Sequence, residues 1–162
     1  MRTIVTSSQH VLEGNKLALL EGVSEPEKRI LVVDDDDAIR MLLLTILQRR
    51  GLVADAARDG AEALQCLAAA RYSVMLLDLM MPRESGWDVL GEIARWPLDR
   101  RPIIIVLTAG AEPRALDPTL VAGTVRKPFD VDMLVETVTA CVNSGLAHQP
   151  STDPPAATQI IN

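Results

Sequence analysis

Ile30-Leu31-Val32-Val33 is an apolar run that stops at four consecutive aspartates, Asp34 to Asp37. A short run that is apolar at every position suits a strand covered on both faces, since a solvated face would place a polar residue at every second position. Helical periodicity follows at once in Ile39, Leu42, Leu43, Ile46 and Leu47, and Gly51 sits where a helix end needs a residue tolerant of positive φ. The same alternation continues along the chain. Leu52 to Ala56 reads as a weaker strand, Asp59 as the N-cap of a helix bearing Ala61, Leu64 and Ala68, and Val74 to Leu77 as a buried strand ending at Asp78. A third helix is predicted from about Ser85 to Arg95. Pro102 opens the most apolar strand, Ile103 to Leu107, a short apolar stretch covers Gly123 to Val125, and a last helix places Val131, Leu134, Val135, Val138 and Val142 on one stripe. Buried strands separated by amphipathic helices define an α/β fold, a doubly wound sandwich around a five-stranded parallel sheet.

The chain has 162 residues, enough for one domain with a proper core. Residues 1–28 are weakly patterned and end in Glu25-Pro26-Glu27-Lys28, so the domain is expected at 29–143, after a weakly structured N-terminal extension. Residues 144–162, with Pro150, Pro154 and Pro155 among small polar residues, have the composition of a flexible tail. Lys and Arg number 16 against 22 Asp and Glu, a formal net charge of -6, which disfavours nucleic acid and anionic membrane as partners. Cys66 and Cys141 lie in apolar helical stretches without metal-ligand spacing and read as buried thiols in a reducing compartment. With no signal-peptide core and no run of membrane-spanning length, a cytoplasmic location is expected.

In doubly wound folds the ligand site lies beyond the carboxyl ends of the strands. Asp34 and Asp35 follow the first strand, Asp78 the third, Thr108 the fourth, and Lys127 the fifth. Carboxylates brought together there repel one another unless a cation sits among them, and an oxygen-only set suits Mg²⁺. A hydroxyl and an ammonium group beside that cation supply what a transferred phosphoryl group needs at its equatorial oxygens. Each piece has a plain structural reading as well: the aspartate run as an N-cap cluster, Asp78 as a strand end, Thr108 as a cap, and Lys127-Pro128 as a turn. Their common position at strand ends is what favours chemistry.

The segments Ile30-Leu31-Val32-Val33-Asp34-Asp35, Leu77-Asp78-Leu79-Met80-Met81-Pro82 with Gly86, Val106-Leu107-Thr108-Ala109 and Lys127-Pro128-Phe129 resemble the response-regulator receiver domain of two-component systems, over about residues 29–143. The resemblance implies a flavodoxin-like sheet and a signalling domain, not an enzyme, that takes a phosphoryl group on Asp78. It implies Asp34, Asp35 and Asp78 around Mg²⁺, with the Met80 backbone carbonyl as a further ligand. Thr108 would hydrogen-bond the phosphoryl oxygen, Lys127 would neutralise its charge, and a cis peptide would precede Pro128. The implied partners are a sensor histidine kinase or histidine phosphotransfer protein and a downstream protein.

Two features depart from that family's pattern. Thr124 stands where an aromatic switch residue is usual, three positions before the lysine. Between Thr108 and Lys127, Asp117 as N-cap, Pro118 at the first helical position and Gly123 as stop allow about one turn of a shortened fourth helix. A reduced output face is therefore expected, and the composition after Asn143 suggests a stand-alone receiver acting by protein contact. One alternative is a pseudo-receiver that binds without being phosphorylated. Another is a haloacid-dehalogenase-like phosphatase with Asp34 of Asp34-Asp35-Asp36 as nucleophile, opposed by Ala38 where that family has Thr or Val and by the lack of a strand-end acidic pair after Lys127 to hold the metal.

Overall fold

Each strand of the sheet divides its side chains between two cores, and that division decides where each helix packs. The computed structural model describes residues 28–82, 85–110 and 115–144. Its elements are β1 (Arg29–Val33), α1 (Asp37–Arg49), β2 (Val53–Ala57), α2 (Gly60–Ala69), β3 (Val74–Asp78), α3 (Gly86–Ile93), a 3-10 turn (Leu98–Arg100), β4 (Ile103–Thr108), β5 (Val121–Arg126) and α4 (Val131–Asn143). Leu31, Val33, Met75, Leu77, Ile104 and Val106 meet Ala63 and Leu67 of α2 and Val89 and Ile93 of α3. The alternate residues Ile30, Val32, Val74, Leu76, Ile105 and Leu107 meet Leu43 and Leu47 of α1 and Leu134, Val135 and Val138 of α4. Two helices per face leave β1, β3 and β4 buried on both sides, which is why their sequences show no polar alternation.

All five strands are parallel in the order β2-β1-β3-β4-β5. The chain moves outward from β1 to β2 and then crosses back to β3, so β1 and β3 are neighbours at a topological switch point. The expected flavodoxin-like, doubly wound sheet is the observed one.

Local signals set the helix ends. The Asp36 carboxylate accepts from the amides of Ala38 (2.8 Å) and Ile39 (3.1 Å), and so caps α1. At the other end Gly51 has φ 75°, with Leu52 N–H donating to the Leu47 carbonyl (3.1 Å) and Gly51 N–H to that of Gln48 (2.9 Å). That pair of bonds is a Schellman closure, and it requires the left-handed backbone that glycine adopts freely. Asp59 caps α2 through Glu62 N–H (2.9 Å), and Asp130 caps α4 through Met133 N–H (3.0 Å).

Two boundaries differ from expectation, and the single turn expected between β4 and β5 is present. Helix α3 ends at Ile93, short of Arg95, because Pro97 follows and the Arg101 guanidinium donates to the carbonyls of Ala94 (2.7 Å) and Trp96 (2.9 Å). Strand β5 runs from Val121 to Arg126, so Gly123 lies inside it opposite Ile105 and does not terminate a helix. Between β4 and β5 the described residues contain a single turn in which the Asp117 carboxylate accepts from Thr119 N–H (2.8 Å) and the Asp117 carbonyl from the amides of Leu120 (3.0 Å) and Val121 (2.9 Å). The expected N-terminal extension through residue 27 and the tail from residue 145 lie outside the described residues.

Burial makes a direct stability prediction. Leu76 is fully buried on the central strand, whereas Met41 is 59% exposed on α1. Leu76→Ala is expected to cost about 2–5 kcal/mol and Met41→Ala within about 0.5 kcal/mol, as read from urea unfolding midpoints at constant m-value.

Candidate functional site

Strands β1 and β3 lie side by side and parallel, so their last residues deliver Asp34 and Asp78 to the same edge of the sheet. Thr108 closes β4 at that edge, and Lys127 follows β5, with its N–H donating to the Thr108 carbonyl at 2.6 Å. Asp34, Asp78 and Thr108 are the polar or charged residues buried among the described ones, at 0%, 5% and 7% exposure. Asp35 is exposed at the rim.

The Lys127 ammonium joins the two buried carboxylates, donating to Asp34 Oδ2 at 2.8 Å and Asp78 Oδ2 at 2.6 Å. The remaining oxygens take backbone donors: Asp36 N–H reaches Asp34 Oδ1 at 2.9 Å, and Met80 N–H reaches Asp78 Oδ1 at 2.8 Å. Burial pushes the Asp34 carboxyl above its ordinary pKa of 3.8, against the hydrogen bonds from Lys127 and Asp36. Burial acts to lower Lys127, but the hydrogen bonds and charges of Asp34 and Asp78 outweigh it and hold the ammonium above its ordinary 10.5. The lysine is therefore charged at any physiological pH.

One oxygen each of Asp34, Asp35 and Asp78 lies within 4.8 Å of the others, a set that a small divalent cation could bridge. All three donors are carboxylate oxygens, the type that Mg²⁺ prefers, and the buried Asp34 gains from positive charge nearby, so the residues present fit that ion. Thr108 Oγ1 donates to the Gly110 carbonyl (3.0 Å) and accepts from Gly110 N–H (3.2 Å). The peptide between Lys127 and Pro128 is cis, as the resemblance implied. All the side chains expected at the site are thus brought to one edge, with Met80 two residues beyond Asp78.

Two further residues shape the site: Gly86, which the sequence offers only as a position of the resembling motif, and Arg40, which it does not single out. A Cβ at Gly86 would stand 2.3 Å from the Asp78 carbonyl oxygen and 2.7 Å from Leu79 Cα, so glycine is what lets α3 start directly against the end of β3. Arg40, in the first turn of α1, donates from Nη1 to the Asp34 carbonyl at 2.8 Å and pairs with the Asp37 carboxylate. No motif spacing announces that contact; a cation one helical turn into α1 was the available signal.

The sheet thus carries an acidic cluster and a lysine at its switch point. The family model described as response regulator receiver domain matches residues 30–139. The Response regulator MprA of Mycobacterium ulcerans is 39% identical over 115 residues, covering 69% of this chain and 49% of MprA. The Transcriptional regulatory protein ResD of Bacillus subtilis is 38% identical over 117 residues, covering 70% of this chain and 48% of ResD. The chain thus spans about half the length of these curated relatives. Among solved structures, a receiver domain protein (CheY-like) from Methanospirillum hungatei superposes with TM-score 0.65 at 32% identity, covering 72% of this chain and 95% of that one. The response regulator protein TrrA from Thermotoga maritima, in complex with Mg(2+)-BeF, gives TM-score 0.62 at 41% identity over 70% of this chain and 98% of that one. The chain belongs to the response regulator receiver domain family, and with that the phosphatase alternative falls away. No helix among the described residues is long and apolar enough to cross a membrane.

The raised pKa of Asp34 has a definite consequence for stability. A carboxyl whose folded pKa exceeds the unfolded value binds its proton more tightly in the fold, so its ionisation destabilises the fold as pH rises through that window. Asparagine mimics the protonated form. Asp34→Asn is therefore expected to raise the melting temperature at pH 7 in the presence of a chelator, and to lose that advantage below the ordinary carboxylate range, in melts recorded at both pH values.

Proposed function

We propose that this receiver domain accepts a phosphoryl group on Asp78 in a Mg²⁺-dependent transfer from the phosphohistidine of a sensor kinase or histidine phosphotransfer protein. The observation that supports this reading best is the position of Asp78: a buried carboxylate at a strand end, held by Lys127 Nζ at 2.6 Å and lying beside Asp34 and Asp35. Asp34 and Asp35, with the Asp78 carboxylate and the Met80 carbonyl, would hold the cation. When bound, Mg²⁺ would neutralise these carboxylates and draw charge from the phosphoryl oxygens.

The chain's own groups have distinct tasks. Met80 N–H and the Lys127 ammonium fix the plane of the Asp78 carboxylate, so that it meets the phosphorus in line with the leaving imidazole. One Asp78 oxygen forms the new P–O bond as the P–N bond of phosphohistidine breaks, and the imidazole leaves with the bonding electrons. Lys127 then shifts its hydrogen bonds toward the new negative charge. Thr108 exchanges the Gly110 carbonyl for a phosphoryl oxygen as acceptor, which releases the segment just after β4. Output then passes by protein contact, in a soluble cytoplasmic setting. The pseudo-receiver alternative keeps the same residues but never forms the acyl phosphate.

Two measurements test the assignment. Incubated with Mg²⁺ and a small acyl phosphate and followed by intact mass, Asp78→Ala is expected to take up no phosphoryl group, while Asp34→Ala takes it up slowly. The order follows because loss of one cation ligand weakens a site whereas loss of the nucleophile removes the reaction. Phosphate retained by the Asp78 variant refutes the role given to that residue, and an unmodified wild-type protein favours the pseudo-receiver.

Asp35→Asn keeps the shape of the side chain and removes one formal charge. Since changes in groups that merely orient ligands cost roughly tenfold in metal affinity, loss of a charged ligand is expected to cost at least about that in a calorimetric Mg²⁺ titration.

A further inference from the structure

Arg40 stands beside the acidic cluster and takes no part in the transfer proposed above. Its side chain is only 14% exposed, and Nη1 donates to the main-chain carbonyl of Asp34 at 2.8 Å. That carbonyl lies one residue past the end of β1, and α1 begins with the Arg40 N–H bond to Asp36, so a side chain and not a backbone ladder or helix supplies this hydrogen bond. Nη2 pairs with the Asp37 carboxylate, which is 86% exposed.

The Asp34 carbonyl and the Asp35 amide belong to one planar peptide. A guanidinium locked onto the oxygen therefore fixes the plane from which Asp35 departs. Asp34 has restraints of its own: its N–H donates to the Ala57 carbonyl at 3.2 Å, and its two carboxylate oxygens accept from Asp36 N–H and Lys127 Nζ. Asp35 is exposed, yet its carboxylate oxygen stands within 4.8 Å of those of Asp34 and Asp78.

We propose that Arg40 is the positioning residue of the acidic cluster: by holding the Asp34–Asp35 peptide, it presets the Asp35 carboxylate for a divalent cation. It thereby sets the affinity for the cation, and not the phosphoryl transfer that follows. The inference rests on the reading of Asp34, Asp35 and Asp78 as the cation's ligands. Pairing with Asp37 offsets the guanidinium charge, which would otherwise repel the incoming ion.

Charge and position predict opposite signs. If Arg40 acted only as a nearby positive charge, its removal would tighten Mg²⁺ binding; if it positions Asp35, removal weakens binding. Calorimetric titration of Mg²⁺ into the unphosphorylated full chain decides between them. Arg40→Ala is expected to weaken affinity about tenfold, the usual scale for a group that orients a ligand. Arg40→Lys retains a donor able to reach the carbonyl and is expected to recover part of the loss. Arg40→Met keeps the aliphatic stem without the donors and should show the same tenfold loss, which keeps the test valid even if truncation to alanine unfolds the chain. Phosphorylation by a small acyl phosphate should half-saturate at correspondingly higher Mg²⁺ and climb toward the wild-type rate as Mg²⁺ is raised.

Unchanged or tighter Mg²⁺ binding in a folded Arg40→Met protein overturns the proposal. The Asp35→Asn protein separates the two levels of failure. If Asp35→Asn weakens Mg²⁺ binding and the Arg40 variants do not, the positioning role alone is wrong. If Asp35→Asn also leaves binding unchanged, the cluster is not the cation site, and both readings fall.

Discussion

Two carboxylates buried at the end of a sheet and shared by one ammonium group are the constraint on which the rest of this structure depends. Asp34 and Asp78 are both almost wholly removed from solvent, and Lys127 is the side chain that bonds to each. Burying two like charges side by side is costly, and a single lysine offsets only one of them. The backbone supplies the rest: amide donors from Asp36 and Met80 satisfy the carboxylate oxygens that the lysine does not reach. The raised pKa of Asp34 shows that burial still outweighs these partners. The site is therefore held short of positive charge, which is the condition for recruiting a cation.

Everything else positions those three side chains, which come from points 93 and 49 residues apart along the chain. The period-two division of β1, β3 and β4 between two cores fixes which residues face the helices, and the parallel register then brings every strand end to the same edge. Gly86 belongs to this arrangement, because α3 must begin in contact with the Asp78 backbone. Any side chain there pushes against the main chain of the residue proposed as nucleophile.

Much of this was legible in the sequence because it rests on local rules. Apolar runs, capping aspartates and Gly51 are signals written within a few residues, and each held to within a residue or two. The strand-end residues were legible for a different reason: their order along the chain matched strands that had already been found. The role of Gly86, quoted only as a motif position, and the residue Arg40 itself were not, since both act through contacts with backbone atoms, and backbone leaves no pattern in sequence. Asp55 illustrates the same gap. In the middle of β2 it makes that strand look weak, but in the fold its Oδ2 accepts from Tyr72 Oη (2.8 Å) and from Arg29 Nη1 (3.0 Å), groups that only the tertiary fold brings to it. Gly123 reads as a helix stop because a glycine after a proline-led turn looks like one, while its pairing opposite Ile105 is non-local.

The edge at β5 shows how the proposed chemistry constrains output. Ala122, Gly123 and Thr124 are exposed, and the described residues between β4 and β5 form a turn and not a helix. If Thr108 exchanges the Gly110 carbonyl for a phosphoryl oxygen, one hydrogen bond is replaced by another to a charged group, a gain of order 1–2 kcal/mol. An aromatic side chain at position 124 would add about 1.5–3 kcal/mol by moving from solvent into the space so opened, and Thr124 cannot. The two arrangements of this edge then differ by about a factor of ten in population, not by the thousandfold or more that an all-or-none switch needs. On the proposed chemistry, a partner would respond to the phosphoryl charge itself, or to groups close to it such as Met80, which is 62% exposed two residues past Asp78, rather than to a rearranged face at β5.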